Sequence, residues 1–324
     1  MQIVGPVIVI LVTGANGFVG RALMAELAAR KSSVRGAVRR SDAILPGREC
    51  VVVGEVNGNT DWHDALAGAT EVVHLAARAH ITHETAEDSL AAFRTINTDG
   101  TLTLARQAAQ AGVRRFVFLS TIKVNGEERD GPYNGFDLPL PQDSYAISKW
   151  EAEQGLQDIA ARTGMDVTIL RPPLVYGPGV QANFLQLMHA VDKGWLLPLG
   201  SVKNRRSLIY LGNLVDAITA CLTHPAAANM TFLLSDGDDV STPELIRRLA
   251  IALGRPANLL PIPSVFLKIV SFVLGKRMAA DRLLGSLTLD GRAIQHELRW
   301  SPRYSMAAGL DVTAAWYLGD RVSS

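Results

Sequence analysis

Tyr145 and Lys149 are four positions apart, and together their side chains could take up and release a proton during a reaction. Both fall in a helix predicted over residues 144–162, where this spacing places the phenol and the ammonium on one face. A neighbouring ammonium stabilises a phenolate, which lowers the pKa of the tyrosine. Tyr145 is therefore a candidate general acid and base. Because a Tyr-x-x-x-Lys string is common by chance, the assignment depends on what else the chain contains.

Two further hydroxyl side chains, Ser120 and Thr121, come directly after the apolar run 115–119. This run predicts a buried strand, and ligands of parallel α/β sheets bind at the carboxyl ends of the strands. The two hydroxyls are therefore expected at a ligand-binding edge.

A glycine-rich turn, TGANGFVG at 13–20, lies between the apolar run 7–12 and an amphipathic helix. Gly14 permits a tight turn, Gly17 lets the backbone approach a pyrophosphate, and Gly20 lets the helix pack close to the sheet. The N-terminus of that helix then faces the phosphates. The alternative is a purely structural turn, but the strand-turn-helix context favours a dinucleotide site.

The end of the second predicted strand bears on the choice of dinucleotide. An acidic residue there would hold the ribose hydroxyls and repel a 2′-phosphate. This chain instead has Arg39 and Arg40, with no carboxylate before Asp42. Guanidinium groups bind phosphate through paired hydrogen bonds, so these residues predict NADP(H) as the preferred cofactor, with NAD(H) possible. A solvated basic turn is the alternative explanation.

These groups need a scaffold that brings several strand ends to one edge. Short apolar runs alternate with alanine-rich helical stretches over the first half of the chain, which is the pattern of a parallel sheet. The predicted strands are 7–12, 34–38, 50–53, 71–75, 115–119 and 167–170, and the predicted helices lie near 20–29, 97–111 and 144–162. The expected fold is α/β, a Rossmann-type doubly wound parallel sheet.

The pattern becomes irregular and richer in Pro and Gly after residue 171, then returns briefly to strand and helix. Two interleaved domains are therefore expected. The dinucleotide-binding Rossmann domain comprises 1–171 plus 208–235, and a smaller C-terminal substrate domain comprises 172–207 plus 236–324.

The composition excludes several classes of function. The 324 residues are 48% hydrophobic, and 32 basic against 31 acidic residues give a net charge of +1. So neutral a chain has no overall field to attract nucleic acid or an anionic membrane. Cys50 and Cys221 are far apart and lack metal-ligand spacing, so we expect packing residues in a reducing, cytoplasmic setting and no metal site.

Two apolar segments could suggest membrane association. Residues 3–12 lack a basic leader and run into the glycine-rich turn, so a buried strand is expected rather than a signal peptide. Residues 265–274 include Lys268, and both runs are shorter than the ~20 residues of a membrane-spanning helix. We expect no integral span. Segment 265–274 is predicted to be a core or dimer helix, with peripheral membrane contact as the alternative.

Taken together, the motifs resemble those of the extended short-chain dehydrogenase/reductases, within the NAD-dependent epimerase/dehydratase family of nucleotide-sugar enzymes. The resemblance covers nearly the whole chain. It rests on TGANGFVG, HLAARAH at 74–80, INTDGT at 96–101, LSTIKVNG at 119–126, YAISK at 145–149 and LRPPLVYGPG at 170–179.

The resemblance implies roles for the residues at the catalytic edge. Thr121, Tyr145 and Lys149 would form the catalytic triad, with Thr121 hydrogen-bonding the reacting oxygen. Ser120 and Pro172 would face the nicotinamide.

The resemblance also implies a set of cofactor contacts drawn from the turn, the strand ends and the catalytic edge. Glu55 and Val56 would lie at the adenine, and Asn97 behind the active site. The implied cofactor-binding residues are Gly14, Asn16, Gly17, Phe18, Val19, Gly20, Arg39, Arg40, Glu55, Val56, Ala76, Ala77, Arg78, Asn97, Ser120, Tyr145, Lys149 and Pro172.

A nucleotide-diphosphate site is implied later in the chain. Arg206 would clamp the diphosphate, since its planar fork matches phosphate oxygens. The implied substrate-binding residues are Arg78, Thr121, Asn183, Arg206 and Arg282. A surface salt bridge is the alternative for Arg206 and for Arg282.

The residues at Thr121-Ile122-Lys123 bear on the reaction, because a 4,6-dehydratase of the family has an additional Asp-Glu acid/base pair at this point. Dehydration is therefore not expected. The segments LSTIKVNGE and RPPLVYGPGVQANF resemble bacterial 4-reductases of UDP-4-keto-6-deoxy-N-acetylhexosamines, which belong to the quinovosamine pathway. The leading prediction is an NAD(P)H-dependent 4-ketoreductase that supplies surface polysaccharides such as the lipopolysaccharide O-antigen.

Two alternatives stay open. One is a UDP-sugar 4-epimerase that keeps NAD tightly bound. The other is a dinucleotide-sensing protein without catalysis, against which the intact Thr121, Tyr145 and Lys149 argue. Family members pair through two helices, and 97–111 with 144–162 would permit this, so a homodimer is expected.

Overall fold

The computed structural model describes residues 8–79, 86–129, 131–273 and 283–322. Its strands are β1 Val9–Thr13, β2 Ser33–Val38, β3 Glu49–Val52, β4 Glu71–His74, β5 Arg115–Leu119, β6 Asp166–Arg171, β7 Leu174–Tyr176, β8 Leu208–Tyr210 and β9 Thr231–Leu233. Seven of them form a parallel sheet in the order β3-β2-β1-β4-β5-β6-β9, and β7 pairs with β8. The order reverses between β1 and β4, where doubly wound sheets bind ligands. The predicted α/β fold is confirmed.

The helices connect and cover these strands. They are α1 Phe18–Ala29, α2 His63–Leu66, α3 Ala86–Phe93, α4 Thr101–Gln110, α5 Ser144–Thr163, α6 Ala182–Asp192, α7 Leu211–Thr223, α8 Thr242–Ala252, α9 Ser264–Val273, α10 Arg292–Leu298 and α11 Met306–Val322. A π-helical turn, Arg94–Gly100, joins α3 to α4. The helix predicted at 97–111 therefore begins later as an α-helix, because a π turn precedes it.

Successive side chains of β1 lie on opposite faces of the sheet, because a β-strand is pleated. Val12 belongs to a buried cluster with Leu23 of α1 and Leu214 of α7. Leu11 belongs to a second cluster with Leu156 of α5. Helices thus cover both faces, which explains why the strands are nearly continuous apolar runs. The first predicted strand, 7–12, is observed as Val9–Thr13, and residue 7 lies outside the described residues.

A third buried cluster joins the later segments, including Tyr176 of β7, Met188 of α6, Ile246 of α8 and Leu310 of α11. Segment 208–235 contributes β8 to the small sheet and β9 to the large one. The division into two interleaved domains stays a prediction. Over the described ranges, no helix combines the length and the apolar content needed to cross a bilayer.

Candidate active site

Helix α5 presents Tyr145 in its first turn and Lys149 one turn later. Asp143 caps the helix, because its Oδ1 accepts a hydrogen bond from the Ala146 amide at 2.7 Å. Such a cap satisfies a backbone N–H that has no partner within the helix. Asp143 therefore fixes the start of the helix and, with it, the position of Tyr145.

Lys149 is almost completely buried, and its Nζ lies 3.8 Å from the centroid of the Phe118 ring. This contact is a cation–π interaction. Burial lowers the pKa of Lys149 to about 7, against the opposing effect of the Glu153 charge. Near neutral pH, a small change in the surroundings of this lysine can therefore alter its charge.

Burial raises the pKa of Tyr145 to about 12, and the negative charge of Asp143 adds to this effect. The direction is opposite to that expected from Lys149 alone, because loss of hydration disfavours the phenolate. The tyrosine ring lies 5.9 Å from the ring of Phe93. In the protein alone, Tyr145 is thus a phenol that can donate a proton.

Thr121 follows β5 and caps the short 3₁₀ turn Ile122–Val124, where its Oγ1 accepts a hydrogen bond from the Lys123 amide at 3.3 Å. The Ile122 amide donates to the carbonyl of Pro172 at 3.0 Å. Since β5 and β6 are neighbouring parallel strands, Thr121 and Pro172 lie at the same carboxyl edge of the sheet. The predicted catalytic hydroxyl is therefore at a ligand-binding edge.

The Ser120 hydroxyl donates to the carboxylate of Glu153 on α5. Glu153 also forms a buried ion pair with Arg171 at the end of β6. Arg171 Nη1 in turn donates to Asn125 Oδ1 at 2.8 Å. Sequence patterns do not single out Glu153 or Arg171, although the arginine of LRPP, directly before Pro172, was an available signal. These groups fasten α5 to two strand ends.

Asn97 lies in the π turn and links two parts of the site. Its Oδ1 accepts from the Arg78 amide at 2.9 Å, and its Nδ2 donates to the Arg78 carbonyl at 3.0 Å. Nδ2 also donates to Ser148 Oγ at 3.0 Å, and this hydroxyl donates to the Tyr145 carbonyl at 2.8 Å. The amide thus joins the segment after β4 to the first turns of α5.

A cleft of ≈ 480 Å³ opens at the carboxyl ends of the first strands. Its lining includes residues from the glycine-rich turn, from the segments after β2 and β3, and from the segment after β4. Those among the predicted set are Gly14, Asn16, Gly17, Arg39, Glu55, Val56, Ala76, Ala77 and Arg78. The structure therefore brings together nine predicted residues from four separate segments of the chain.

The glycine-rich turn fits the diphosphate of a dinucleotide. Gly17 is the N-cap of α1 without a capping side chain, and the first turn, which holds Phe18 and Val19, has no acidic residue. The amides at a helix start can then bind an anion. A Cβ at Gly20 would clash with the carbonyl oxygen of Gly14, and Gly14 itself has a φ of +64°, so both positions require glycine.

Two charges of opposite sign meet where β2 and β3 end. Arg39 Nη1 lies 3.7 Å from Glu55 Oε2, both side chains are largely exposed, and both residues line the cleft. Arg40 Nε donates to Asp42 at 3.2 Å. The strand end therefore offers a guanidinium and a carboxylate side by side.

His74, at the end of β4, lies beneath this region and is fully buried. Its Nδ1 is 2.7 Å from Thr13 Oγ1, and its Nε2 is 2.9 Å from Thr101 Oγ1. Burial, with a smaller effect from the charge of Lys149, lowers the pKa of His74 to about 3. The ring is therefore neutral. The histidine of HLAARAH was the available sequence signal for this contact between β1, β4 and α4.

The predicted substrate-binding residues lie in different parts of the structure. Arg78 lines the cleft. Asn183 is exposed in the first turn of α6. Arg206 Nη1 donates to the carbonyl of Gly285 at 2.9 Å. Arg282 lies outside the described residues.

The chain is similar in fold and in sequence to several known proteins. The fold matches that of MoeE5 in complex with UDP-glucose and NAD, with a TM-score of 0.78 and 25% identity over 97% of this chain and 99% of that chain. The UDP-glucose 4-epimerase of Vibrio cholerae is 44% identical over 95% of each chain. The N-acetyl-alpha-D-glucosaminyl-diphospho-ditrans,octacis-undecaprenol 4-epimerase of Escherichia coli O157:H7 is 26% identical over 94% of this chain and 93% of its own length.

A family model described as the NAD dependent epimerase/dehydratase family matches residues 10–233, which is more than half of the chain. That span contains the glycine-rich turn, the cleft and the residues Thr121, Tyr145 and Lys149. The chain therefore belongs to the NAD-dependent epimerase/dehydratase family.

Proposed function

We propose that the protein is a nucleotide-sugar 4-epimerase that acts on a UDP-linked hexose with NAD held in its cleft. The similarity that supports this most is the 44% identity with the UDP-glucose 4-epimerase of Vibrio cholerae over nearly the whole chain. Sequence patterns alone put a 4-ketoreductase first and the epimerase second. The relatives favour the epimerase, and the same three catalytic residues serve both reactions.

The residues of the site suit proton transfer at a secondary alcohol. Tyr145 exchanges a proton with the 4-oxygen of the sugar, and Thr121 hydrogen-bonds that oxygen. NAD, when bound, would accept a hydride from the sugar and later return it, and its positive ring would favour the Tyr145 phenolate. Lys149 would stabilise the same phenolate when it is protonated, and the Glu153 charge favours that protonated form against the effect of burial.

The residues that line the cleft suit a dinucleotide cofactor. The uncapped start of α1 would hold the diphosphate, and Glu55 with Val56 would contact the nucleoside end. Trp62 also lines the cleft, and within the described residues its buried indole Nε1 has no hydrogen-bond partner. This donor is enclosed by protein atoms rather than open to the cleft, so its lack of a partner costs free energy and does not provide a contact for a ligand.

The cofactor is NAD rather than NADP in this proposal. Glu55 lies 3.7 Å from Arg39, so its carboxylate would offset part of the charge of that guanidinium and repel a 2′-phosphate. One observation favours the second candidate, a 4-ketoreductase that consumes NADPH. Arg39 does line the cleft at the end of β2, where a 2′-phosphate would lie.

The substrate diphosphate is assigned to Arg206 and Asn183, with Arg282 as a further candidate from the sequence. Three other predictions accompany the proposal: a cytoplasmic location, a homodimer formed through α4 and α5, and a role in surface polysaccharide synthesis.

The deciding experiment uses the purified protein with UDP-glucose and with UDP-N-acetylglucosamine, without added cofactor. An epimerase converts each sugar toward its 4-epimer with no net change in nicotinamide absorbance. A 4-ketoreductase instead consumes NADPH when given a UDP-4-keto-6-deoxyhexose. Tyr145→Phe should reduce either activity by roughly 10²- to 10⁴-fold, the usual contribution of a general acid/base. Inactivity of the wild type in both assays would favour the dinucleotide-sensing alternative.

A further inference from the structure

Lys123 lies at the centre of a polar cluster formed with Glu127 and Asp143, which we call the Lys123 cluster. Its Nζ is 2.7 Å from Glu127 Oε1 and 2.5 Å from Asp143 Oδ2. The three side chains are 24%, 31% and 34% exposed, respectively. Because water reaches them only in part, these ion pairs are screened less than pairs on an open surface.

The Lys123 cluster connects the two segments that hold the catalytic oxygens. At one end, the Lys123 amide donates to Thr121 Oγ1 at 3.3 Å, within the same short turn. At the other end, Asp143 accepts from the Ala146 amide at 2.7 Å and caps the helix that contains Tyr145. Lys123 and Asp143 are 20 positions apart in the chain, so their contact closes a long loop between the two segments.

The Lys123 cluster also affects the charge next to Tyr145. Burial raises the pKa of Asp143, but the Lys123 ammonium and the Ala146 amide together hold it below its ordinary value, so the carboxylate is ionised. That charge disfavours the Tyr145 phenolate. Glu127 also forms a hydrogen bond with Asp143 and adds to the lowering of its pKa. Lys123 offsets the Asp143 charge beside the proton-transfer group.

We propose that Lys123 is a positioning residue, which holds Thr121 and Tyr145 in register through its contact with Asp143. The inference rests on the proposed proton and hydride chemistry of the site, in either its epimerase or its reductase form. The sign of the charge matters at this position, because a cation binds the helix cap Asp143, whereas a carboxylate would repel it.

The first test compares Lys123→Met with Lys123→Arg. Lys123→Met removes the bridge and should lower kcat by roughly 10- to 100-fold, the cost of a misplacement of about 1 Å. KM for the nucleotide sugar should change by less than about threefold, because the diphosphate site is elsewhere. Lys123→Arg restores a cation and should recover most of kcat. The exposed neighbouring carboxylate supplies the matched control, Glu128→Gln, which should leave both constants unchanged.

A second readout does not depend on turnover. Hydrogen exchange of the Ala146 amide reports whether the cap is held, and it should speed up roughly tenfold or more in Lys123→Met but not in Glu128→Gln. Asp143→Asn, which keeps an oxygen acceptor without the charge, should lower kcat by itself. Combined with Lys123→Met, it should cause little further loss, because contacting residues are not additive.

Two results would overturn the inference: a normal kcat in Lys123→Met, or losses that simply add in the Lys123→Met/Asp143→Asn double variant. Failure of the proposed function is distinguishable from both. If the wild type turns over neither class of nucleotide sugar, the exchange rate of Ala146 still decides whether Lys123 holds the helix cap.

Discussion

Glu153 in α5 and Arg171 at the end of β6 form a buried ion pair that fastens this helix to the sheet. Arg171 Nε lies 3.1 Å and 3.2 Å from the two carboxylate oxygens. Glu153 is one turn beyond Lys149, and its charge favours the protonated form of that lysine. The pair therefore sets both the position of α5 and the electrostatic surroundings of Lys149.

Breaking this pair should destabilise the fold severely. Glu153→Gln leaves the Arg171 guanidinium buried without a counter-charge, and removal of one partner of a buried pair costs about 3–5 kcal/mol. Urea unfolding should show this loss in the free energy of unfolding at neutral pH.

Glu151 supplies the control on the same helix. Its ion pair with Arg94 is partly exposed, with 47% of the arginine and 29% of the glutamate side chain accessible. Glu151→Gln should therefore cost no more than ~1 kcal/mol. Equal losses in the two variants would mean that burial does not distinguish the pairs.

Much of the fold could be predicted from local patterns. Helix α5 spans Ser144–Thr163 against a prediction of 144–162, and β5 matches its predicted range, 115–119. Apolar runs and helical periodicity are encoded by neighbouring residues. The glycine spacing likewise predicts the turn before α1, because a side chain at Gly14 or Gly20 would be strained or would clash with the backbone of the turn itself.

The contacts that complete the site could not be predicted in this way. Lys123 meets Asp143 from 20 positions away, and His74 meets Thr13 from 61 positions away. Such contacts depend on the packing of separate elements, which no local pattern encodes. The pKa of Tyr145 illustrates the same limit, because the spacing to Lys149 predicts a lower value and burial raises it.

His74 should make the protein sensitive to acid. Its pKa in the folded protein is about 3, against 6.5 for an unperturbed histidine, so the unfolded chain binds a proton that the folded protein does not. This contribution to stability is fully present above pH 6.5 and is lost as the pH falls toward 3. In this pH range, His74 makes the free energy of unfolding fall by at most ~1.4 kcal/mol for each unit by which the pH is lowered.

His74→Gln should lower the free energy of unfolding at pH 7 but flatten its decline in acid, as measured by urea unfolding at several pH values. The exposed His63 is the control, and His63→Gln should stay within ~0.5 kcal/mol of the wild type at neutral pH. A decline in His74→Gln as steep as that of the wild type would show that other groups cause the acid sensitivity.

Arg206 should contribute to substrate binding rather than to chemistry. Arg206→Ala should raise KM for the UDP-sugar roughly 10- to 100-fold with little change in kcat, since a charge-assisted bond contributes ~1.5–3 kcal/mol. Arg205 is the adjacent control, because it is exposed and lies 3.6 Å from Asp239. If Arg205→Ala and Arg206→Ala raise KM equally, general positive charge and not a specific clamp attracts the substrate.

Cofactor choice should depend on the balance between Arg39 and Glu55. In the wild type, the Glu55 carboxylate lies 3.7 Å from Arg39 and would repel a 2′-phosphate there, so the protein should bind NAD more tightly than NADP. Glu55→Gln removes the repulsion and leaves the guanidinium available to a 2′-phosphate, so NADP affinity should rise roughly 10- to 100-fold. Arg39→Asp should act in the opposite direction, because it adds a carboxylate where the free ribose hydroxyls would lie. Dissociation constants for both dinucleotides, measured by titration of the three proteins, test this order. A wild type that prefers NADP, with no further gain in Glu55→Gln, would show that Arg39 already binds the 2′-phosphate and would favour the NADPH-consuming reductase.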